Sequence, residues 1–273
     1  MGKFSGMLIC TDLDGTLLRN DKTLSLENVE AIEYFKREGG YFTFVTGRMP
    51  FYVSYVLDKI RPNAPFGCIN GAGLYDWVKG EYMWKAVMSD KVVELIKQID
   101  DNLPDVGILV NTFYKTYFYK ENQATKNFRE SRKLENFVCD YNDVQEPIAK
   151  IIFASENDEE IKMIEEKLKF HPLANEFDFI RSEKTLYEIL PKGSGKGTSI
   201  TMLCNYLNID ISKTIAIGDY HNDISMFKVS GIGVAVSNAC NEALAKSDFI
   251  TVSNEEHAIA KVIYDLESGI YVL

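Results

Sequence analysis

The beginning of the chain alternates between short apolar runs and amphipathic stretches, and this alternation restricts the fold more than any other feature. Residues 7–10, 41–45 and 66–69 are apolar, aromatic or β-branched runs of strand length. Between them, residues 26–35 and 50–60 repeat apolar side chains at the spacing of a helix. Strand, helix, strand, helix and strand in this order predict a parallel sheet with right-handed crossovers.

This pattern breaks in the middle of the chain and then returns. Residues 88–185 run in the order helix, two strands, helix, strand, helix and strand, which is typical of an α+β domain. The apolar run at residues 186–190 predicts that the parallel sheet resumes there, and helices and strands alternate after it. We therefore predict an α/β protein with a Rossmann-like parallel-sheet core, residues 1–87 and 186–273, and an inserted α+β domain, residues 88–185.

Composition excludes several classes of function. The 40 acidic residues exceed the 30 basic ones and give a net charge of −10, so a general attraction to nucleic acid is not expected. The five cysteines form no C-x-x-C pair, which argues against a disulfide framework or a zinc site and is typical of a cytoplasmic protein. No run of about 18 apolar residues indicates a membrane span.

Two acidic clusters follow apolar strands. Asp12 and Asp14 come directly after the first predicted strand, and Asp219 and Asp223 follow the strand at residues 214–217. Ligands of open α/β sheets bind beyond the carboxyl ends of the strands, so neighbouring strands would bring the four carboxylates together. Like charges held close together, with only oxygen ligands available, predict a Mg²⁺ site. The alternative is that each cluster is ordinary turn chemistry.

Other strand ends carry groups suited to phosphate. Thr46, Gly47 and Arg48 follow the second strand, and a hydroxyl, a backbone N–H and a guanidinium there could hold phosphate oxygens. Lys196 begins a predicted helix, where its charge and the helix dipole would act together on a phosphate. Its glycine-rich surroundings suggest a P-loop of an NTPase as an alternative, but Leu190 stands where that motif requires glycine.

Four segments, taken in order, resemble the motifs of the haloacid dehalogenase-like phosphatases. They are Asp12-Leu13-Asp14-Gly15-Thr16, Thr46, Lys196 and Gly218-Asp219-Tyr220-His221-Asn222-Asp223. The insertion resembles the large α/β cap of the Cof-type branch, so the resemblance covers essentially the whole chain. The first and last motifs are specific, and Tyr220 departs from the small residue that is common at its position.

The resemblance implies a magnesium-dependent phosphatase. Asp12 would be the nucleophile that forms an aspartyl-phosphate, and Asp14 would protonate the leaving alcohol and then deprotonate the attacking water. The implied Mg²⁺ ligands are Asp12, the backbone carbonyl of Asp14 and Asp219, with Asp223 in or near the site. The groups that would cradle the phosphoryl group are the Leu13 N–H, Thr46, Gly47, Lys196 and Asn222.

The resemblance also bears on the substrate and the partners. In this family the cap supplies specificity, and Cof-type members act on small phosphorylated metabolites, so a sugar phosphate is the expected substrate. A monomer or a weak homodimer is expected. The same motifs could serve a phosphomutase or phosphotransferase, in which an alcohol replaces water as the acceptor. A non-catalytic phosphate-binding regulator is a further alternative, against which the intact Asp12, Asp14, Lys196 and Asp219 argue.

Overall fold

The computed structural model describes residues 2–273, which divide into two units. One unit contains the chain up to Trp84 together with Gly195–Leu273, and the other is Lys85–Ser194. No helix within residues 2–273 is both long and apolar enough to cross a membrane. The strands and helices in chain order are β1 (Leu8–Thr11), α1 (Leu26–Arg37), β2 (Tyr41–Phe44), α2 (Ser54–Leu57), β3 (Phe66–Cys68), β4 (Gly73–Asp76), β5 (Glu81–Lys85), α3 (Val92–Asn102), β6 (Gly107–Thr112), β7 (Thr116–Lys120), α4 (Gln123–Ser131), β8 (Ile148–Ala154), α5 (Asp158–Lys169), β9 (Phe177–Glu183), β10 (Leu186–Pro191), α6 (Lys196–Leu207), β11 (Thr214–Gly218), α7 (Ile224–Val229), β12 (Ile232–Val236), α8 (Asn241–Lys246), β13 (Phe249–Thr251) and α9 (Ala258–Glu267).

The first unit is built on a five-stranded sheet in the order β13-β12-β11-β1-β2, in which every pairing is parallel. The predicted α/β fold with a parallel sheet is therefore confirmed. From β1 the chain continues to β2 on one side, and from β11 it continues to β12 and β13 on the other. The strand order thus reverses between β1 and β11, and the crevice beyond their carboxyl ends is where ligands of such sheets bind.

Local sequence explains why the elements around β1 form where they do. All four residues of β1 are buried, as expected of a central strand covered on both faces. Helix α1 begins after Ser25, whose Oγ accepts a hydrogen bond from the backbone N–H of Asn28 at 3.1 Å. The buried Asn28 side chain in turn accepts from the backbone N–H of Ala260 at 3.0 Å and links α1 to α9.

Strand β3 differs from its prediction as a third strand of the parallel sheet. It pairs antiparallel with β4 in a separate three-stranded sheet, β3-β4-β5, and meets the end of β2 only through an isolated parallel bridge between Val45 and Gly67. The chain reverses after β3 because Ile69, Asn70 and Gly71 all adopt positive φ, at 54°, 51° and 87°. This turn returns β4 alongside β3, which the strand pattern alone could not indicate.

The second unit is an antiparallel sheet in the order β7-β6-β8-β10-β9 with helices α3, α4 and α5. Helix, two strands, helix, strand, helix and strand follow one another here as the sequence predicted. Helices α3 and α5 contribute their apolar side chains to one hydrophobic core with alternate residues of β6, β8 and β10. That core lies on one face of the sheet.

Strand β10 corrects the prediction for residues 186–190. Instead of resuming the parallel sheet, β10 pairs antiparallel with β8 and β9 inside the second unit, and the unit ends at Ser194 rather than at residue 185. The prediction was wrong because every residue of β10 is buried, so its apolar run looks like a parallel strand covered on both faces. Its one charged residue, Glu188, is buried through an ion pair with Lys150.

Candidate active site

Three carboxylates meet beyond the carboxyl ends of β1 and β11. Asp12 continues β1, and its backbone N–H donates to the carbonyl of Ile217 in β11 at 2.9 Å. Asp219 and Asp223 follow β11, and one carboxylate oxygen of each of the three residues lies within 4.8 Å of the others. The two predicted acidic clusters are therefore brought together, with the exception of the Asp14 side chain.

Lys196, the first residue of α6, is the cation of this group. Its buried Nζ lies 2.6 Å from Asp12 Oδ1 and 2.6 Å from Asp223 Oδ1. Burial disfavours the ammonium ion, but the charges of Asp12 and Asp223 outweigh burial and raise the pKa of Lys196 above its ordinary value. Lys196 therefore carries a fixed positive charge beside Asp12.

The pKa values of the carboxyl groups indicate that one lysine does not balance the negative charge of the three carboxylates. Burial raises the pKa of Asp12 to about 7; Lys196 opposes this shift, whereas Asp223 and Asp14 add to it. Burial, followed by the charges of Asp223 and Asp12, raises the pKa of Asp219 well above its usual value. When all are ionised, three carboxylates and one ammonium leave two negative charges, and oxygen ligands with this excess fit Mg²⁺.

Asp223 organises the loop after β11. One of its oxygens binds Lys196, and the other, Oδ2, accepts hydrogen bonds from the backbone N–H groups of Asp219 at 2.8 Å and Tyr220 at 3.0 Å. The Tyr220 ring stands edge-on to His221, with 4.7 Å between ring centroids. Because Asp223 binds the loop through backbone groups, Tyr220 forms the same loop hydrogen bond that any non-proline residue would form.

Two residues of the first motif, Gly15 and Thr16, fix the position of the Asp219 side chain. Thr16 Oγ1 donates to Asp219 Oδ1 at 2.8 Å. Gly15, at φ 81°, passes so close that a Cβ at this position would lie 2.6 Å from Asp219 Oδ2. The Thr16 contact was not predicted, although Thr16 stands inside the recognised motif.

The side chain of Asp14 lies outside the group of three carboxylates and contacts a pair of cations. Arg48 makes a bidentate contact with it, Nε at 2.7 Å and Nη2 at 2.8 Å, and Lys22 Nζ lies 2.8 Å from Oδ1. Burial disfavours the Arg48 cation, but Asp14 outweighs burial and raises the pKa of Arg48. No sequence pattern indicates a role for Lys22, which stands at φ 66° in an irregular loop.

The predicted phosphate-binding residues of the second strand end lie beside those of the last motif. Asn222 Nδ2 donates to Asn70 Oδ1 at 3.1 Å, and a Cβ on Gly47 would lie 3.0 Å from the same oxygen. Backbone hydrogen bonds from Asn70 N–H to the Thr46 carbonyl, and from Ile69 N–H to the Arg48 carbonyl, hold this arrangement at 3.0 Å each. A left-handed β-branched residue such as Ile69 is costly, and such strain clusters at functional sites.

Leu13 lies between the two motif aspartates and is fully buried. Its carbonyl accepts from the N–H groups of Leu18 at 2.8 Å and Thr16 at 3.4 Å, which closes the turn that carries Asp14. Its own N–H stays the predicted phosphate donor.

Comparison with known proteins agrees with this geometry. A family model described as haloacid dehalogenase-like hydrolase matches residues 9–263. The chain is 30% identical to the 5-amino-6-(5-phospho-D-ribitylamino)uracil phosphatase YwtE of Bacillus subtilis, over 96% of this chain and 99% of that protein. A solved haloacid dehalogenase-like hydrolase from Bacteroides thetaiotaomicron is 25% identical, with a TM-score of 0.82 over 95% of this chain and 99% of that one. The sugar phosphatase BT4131 shares the fold at 20% identity, with a TM-score of 0.82 over 97% of this chain and 100% of that one.

Proposed function

This chain belongs to the haloacid dehalogenase-like hydrolases, as its four motifs predicted, and from that premise we propose that it transfers a phosphoryl group to Asp12 and then to water. It is a phosphoric monoester hydrolase. The observation that carries the mechanism is the group of three carboxylates, two of them buried, with Lys196 against the proposed nucleophile.

Asp12 acts as the nucleophile in this proposal. Lys196 fixes one oxygen of its carboxylate at 2.6 Å and counters the repulsion between a carboxylate and a phosphate. Attack on phosphorus forms a bond from an Asp12 oxygen and breaks the bond to the leaving oxygen, which takes a proton. Attack by water then releases phosphate and returns Asp12.

Asp14 transfers the proton in each of the two proposed steps. As an acid it gives a proton to the leaving oxygen, and as a base it removes one from the attacking water. The bidentate contact of Arg48 fixes the orientation of this carboxylate, and Lys22 adds a second charge.

The remaining predicted residues bind metal and phosphate. Asp12, Asp219 and the backbone carbonyl of Asp14, with Asp223 beside them, would hold Mg²⁺, which would supply the positive charge that a phosphate needs in order to approach a carboxylate. The groups proposed to hold the phosphoryl oxygens are the Leu13 N–H, Thr46, Gly47, Lys196 and Asn222. The neighbouring positions of Asn222, Asn70 and Gly47 support this assignment.

The second unit is proposed to select the leaving group of a small phosphorylated metabolite, most simply a sugar phosphate. The names of two similar proteins support a substrate of this kind, since one is a phosphatase of a phosphorylated ribityl compound and the other is a sugar phosphatase. We also propose a cytoplasmic location, which agrees with five cysteines that are all free. For the oligomeric state we propose a monomer or a weak homodimer.

A phosphate-release screen of metabolite monophosphates with Mg²⁺ tests this function, with Asp12→Asn as the matched variant. The amide keeps the shape of the side chain and removes the nucleophile, so turnover should be lost while the thermal unfolding curve stays cooperative. Retention of more than a few per cent of wild-type turnover would contradict the role of Asp12. Two in-line displacements also require retention of configuration at a chiral phosphorus, whereas direct attack by water gives inversion.

A further inference from the structure

The first motif ends in an irregular turn, and two asparagines from the last part of the chain bind the carbonyl groups of this turn. Asn238 Nδ2 donates to the Gly15 carbonyl oxygen at 2.8 Å, and Asn254 Nδ2 donates to the Leu18 carbonyl oxygen at 2.9 Å. The two asparagines follow β12 and β13 of the parallel sheet. Because backbone carbonyls that leave the sheet need a partner, these side chains fix the path of the turn.

The two asparagines also fix each other. Asn238 Oδ1 accepts the backbone N–H of Asn254 at 2.9 Å, so the side chain of Asn238 is bonded through both its oxygen and its nitrogen. Asn254 is only 2% exposed, and its Nδ2 also donates to Asn20 Oδ1 at 3.2 Å. An amide that uses both its acceptor and its donor has one favourable orientation. Asn238 is therefore a rigid spacer between residues 15 and 254.

The segment that carries Asn238 also contacts the second acidic motif. The backbone N–H of Cys240 donates to the Asp219 carbonyl oxygen at 2.9 Å. The Asp219 side chain is in turn fixed by Thr16 Oγ1 at 2.8 Å and by the close approach of Gly15. The segment thus contacts both acidic motifs, the second through a backbone group and the first through the Asn238 side chain.

We propose that Asn238 is a positioning residue of the metal site, which holds the Gly15 turn against Asp219 and thereby fixes the Asp219 carboxylate. This inference rests on the proposed function, in which Asp219 is a ligand of Mg²⁺. Groups that orient the ligands of a metal commonly contribute ~10-fold to ~100-fold to its affinity without touching the ion. Asn238 is exposed and acts through residues 15 and 16, so we expect the low end of this range, about tenfold.

Asn63 provides a matched control in the same unit. Its Oδ1 accepts the backbone N–H of Phe42 at 2.8 Å, and its Nδ2 donates to the Gly40 carbonyl oxygen at 2.9 Å. Asn63 is exposed, as Asn238 is, and each side chain bonds one backbone N–H and one backbone carbonyl. Gly40 and Phe42 lie at the amino end of β2, at the edge of the sheet opposite the aspartates. Asn63→Ala therefore removes the same kinds of hydrogen bond far from the proposed metal site.

Isothermal titration of the full-length, chelator-treated chain with Mg²⁺ measures the dissociation constant without turnover. Asn238→Ala should raise this constant about tenfold, whereas Asn63→Ala should leave it within about twofold of the wild type. Urea unfolding in the presence of a chelator should show similar losses of stability in the two variants, because both lose one hydrogen bond of each kind. A merely structural role would affect stability alone.

A double variant tests the route from Asn238 to Asp219. A Cβ at residue 15 already displaces the Asp219 carboxylate. In a Gly15→Ala background, Asn238→Ala should therefore weaken Mg²⁺ binding by less than about threefold, since residues that act through each other are not additive. An equal factor in both backgrounds would overturn the route through Gly15.

The possible results separate this inference from the proposed function. A dissociation constant for Asn238→Ala within about twofold of that for Asn63→Ala overturns the positioning role and leaves the phosphatase assignment in place. A wild type that binds no Mg²⁺ overturns the metal site of the proposed function, and this inference with it.

A second variant decides if Asn238→Ala lacks a cooperative unfolding transition. Asn238→Asp keeps an oxygen for the backbone N–H of Asn254 and loses only the donor to the Gly15 carbonyl. It should weaken Mg²⁺ binding, although its added negative charge alone would strengthen it. Binding as tight as that of the wild type, or tighter, would overturn the positioning role.

Discussion

Gly15→Ala tests whether catalysis depends on the exact position of the Asp219 carboxylate and not only on its presence. A Cβ at residue 15 would lie 2.6 Å from Asp219 Oδ2, whereas such contacts are essentially never below 3.0 Å. The carboxylate of Asp219 must therefore withdraw by at least about 0.4 Å. Since a misplacement of ~1 Å in a catalytic site costs ~100-fold in rate, we expect kcat to fall by about tenfold.

A matched control separates this displacement from backbone strain. Gly6 adopts φ 79°, close to the 81° of Gly15, but a Cβ on Gly6 meets nothing within 4 Å. Alanine in the left-handed region costs about 1–2 kcal/mol, so Gly6→Ala and Gly15→Ala should lose similar amounts of unfolding free energy from strain alone. Only Gly15→Ala should also change the Mg²⁺ concentration that gives half-maximal activity.

Urea unfolding in the presence of a chelator measures the loss of unfolding free energy. The Mg²⁺ dependence of p-nitrophenyl phosphate hydrolysis measures kcat and the half-saturating Mg²⁺ concentration. The reasoning fails if Gly15→Ala matches Gly6→Ala within about twofold in both kcat and half-saturating Mg²⁺. That result would mean that Asp219 does not need the position in which Thr16 and Gly15 hold it.

Three further predictions concern the charges of the site. Chelation should abolish phosphate release, and Mg²⁺ should restore it better than Ca²⁺, which takes more ligands in looser geometry; full activity in excess chelator would contradict this. Arg48→Met should lower kcat about tenfold for an alkyl phosphate and less for p-nitrophenyl phosphate. The reason is that Arg48 orients the proposed acid Asp14, and p-nitrophenolate leaves with little need for a proton from it. Equal losses on both substrates would exclude an effect through Asp14. Without Mg²⁺, the unfolding free energy should fall more steeply from about pH 4 to about pH 7 in the wild type than in Asp12→Asn, because burial raises the pKa of Asp12 from 3.8 to about 7 and the stabilising proton is lost between these two values as pH rises. Parallel curves would argue against the raised pKa.

The group of aspartates could be predicted from the sequence because the end of an apolar run marks the end of a strand. Apolar runs end where Asp12 and Asp219 begin, and parallel strands place their carboxyl ends on one edge, so only the pairing of β1 with β11 had to be assumed. No sequence rule of this kind predicts the contact of Lys22 with Asp14. It depends on the path of an irregular loop, which tertiary contacts determine.

Strand β10 shows a different limit. Its sequence fits either a parallel or an antiparallel strand when both faces are buried, and the partner is chosen by residues far away in the chain. The one informative residue was Glu188, because a charge in an otherwise apolar strand requires a partner. That partner, Lys150, lies 38 residues earlier, and no local pattern connects the two.

Close packing, without a P-loop, requires glycine at residue 197 beside Lys196, where a Cβ would lie 2.3 Å from the Ser225 carbonyl oxygen, and at residue 71 opposite it. A Cβ on Gly71 would lie 1.9 Å from the Gly195 carbonyl oxygen, so the turn that carries Asn70 can touch the base of α6 only because residue 71 has no side chain. On the other side, the Gly197 N–H donates to Ser225 Oγ at 3.1 Å. The first residue of α6 is thus fixed between the turn of Asn70 and helix α7, which is how a lysine far from both acidic motifs in sequence comes to lie 2.6 Å from Asp12 and from Asp223.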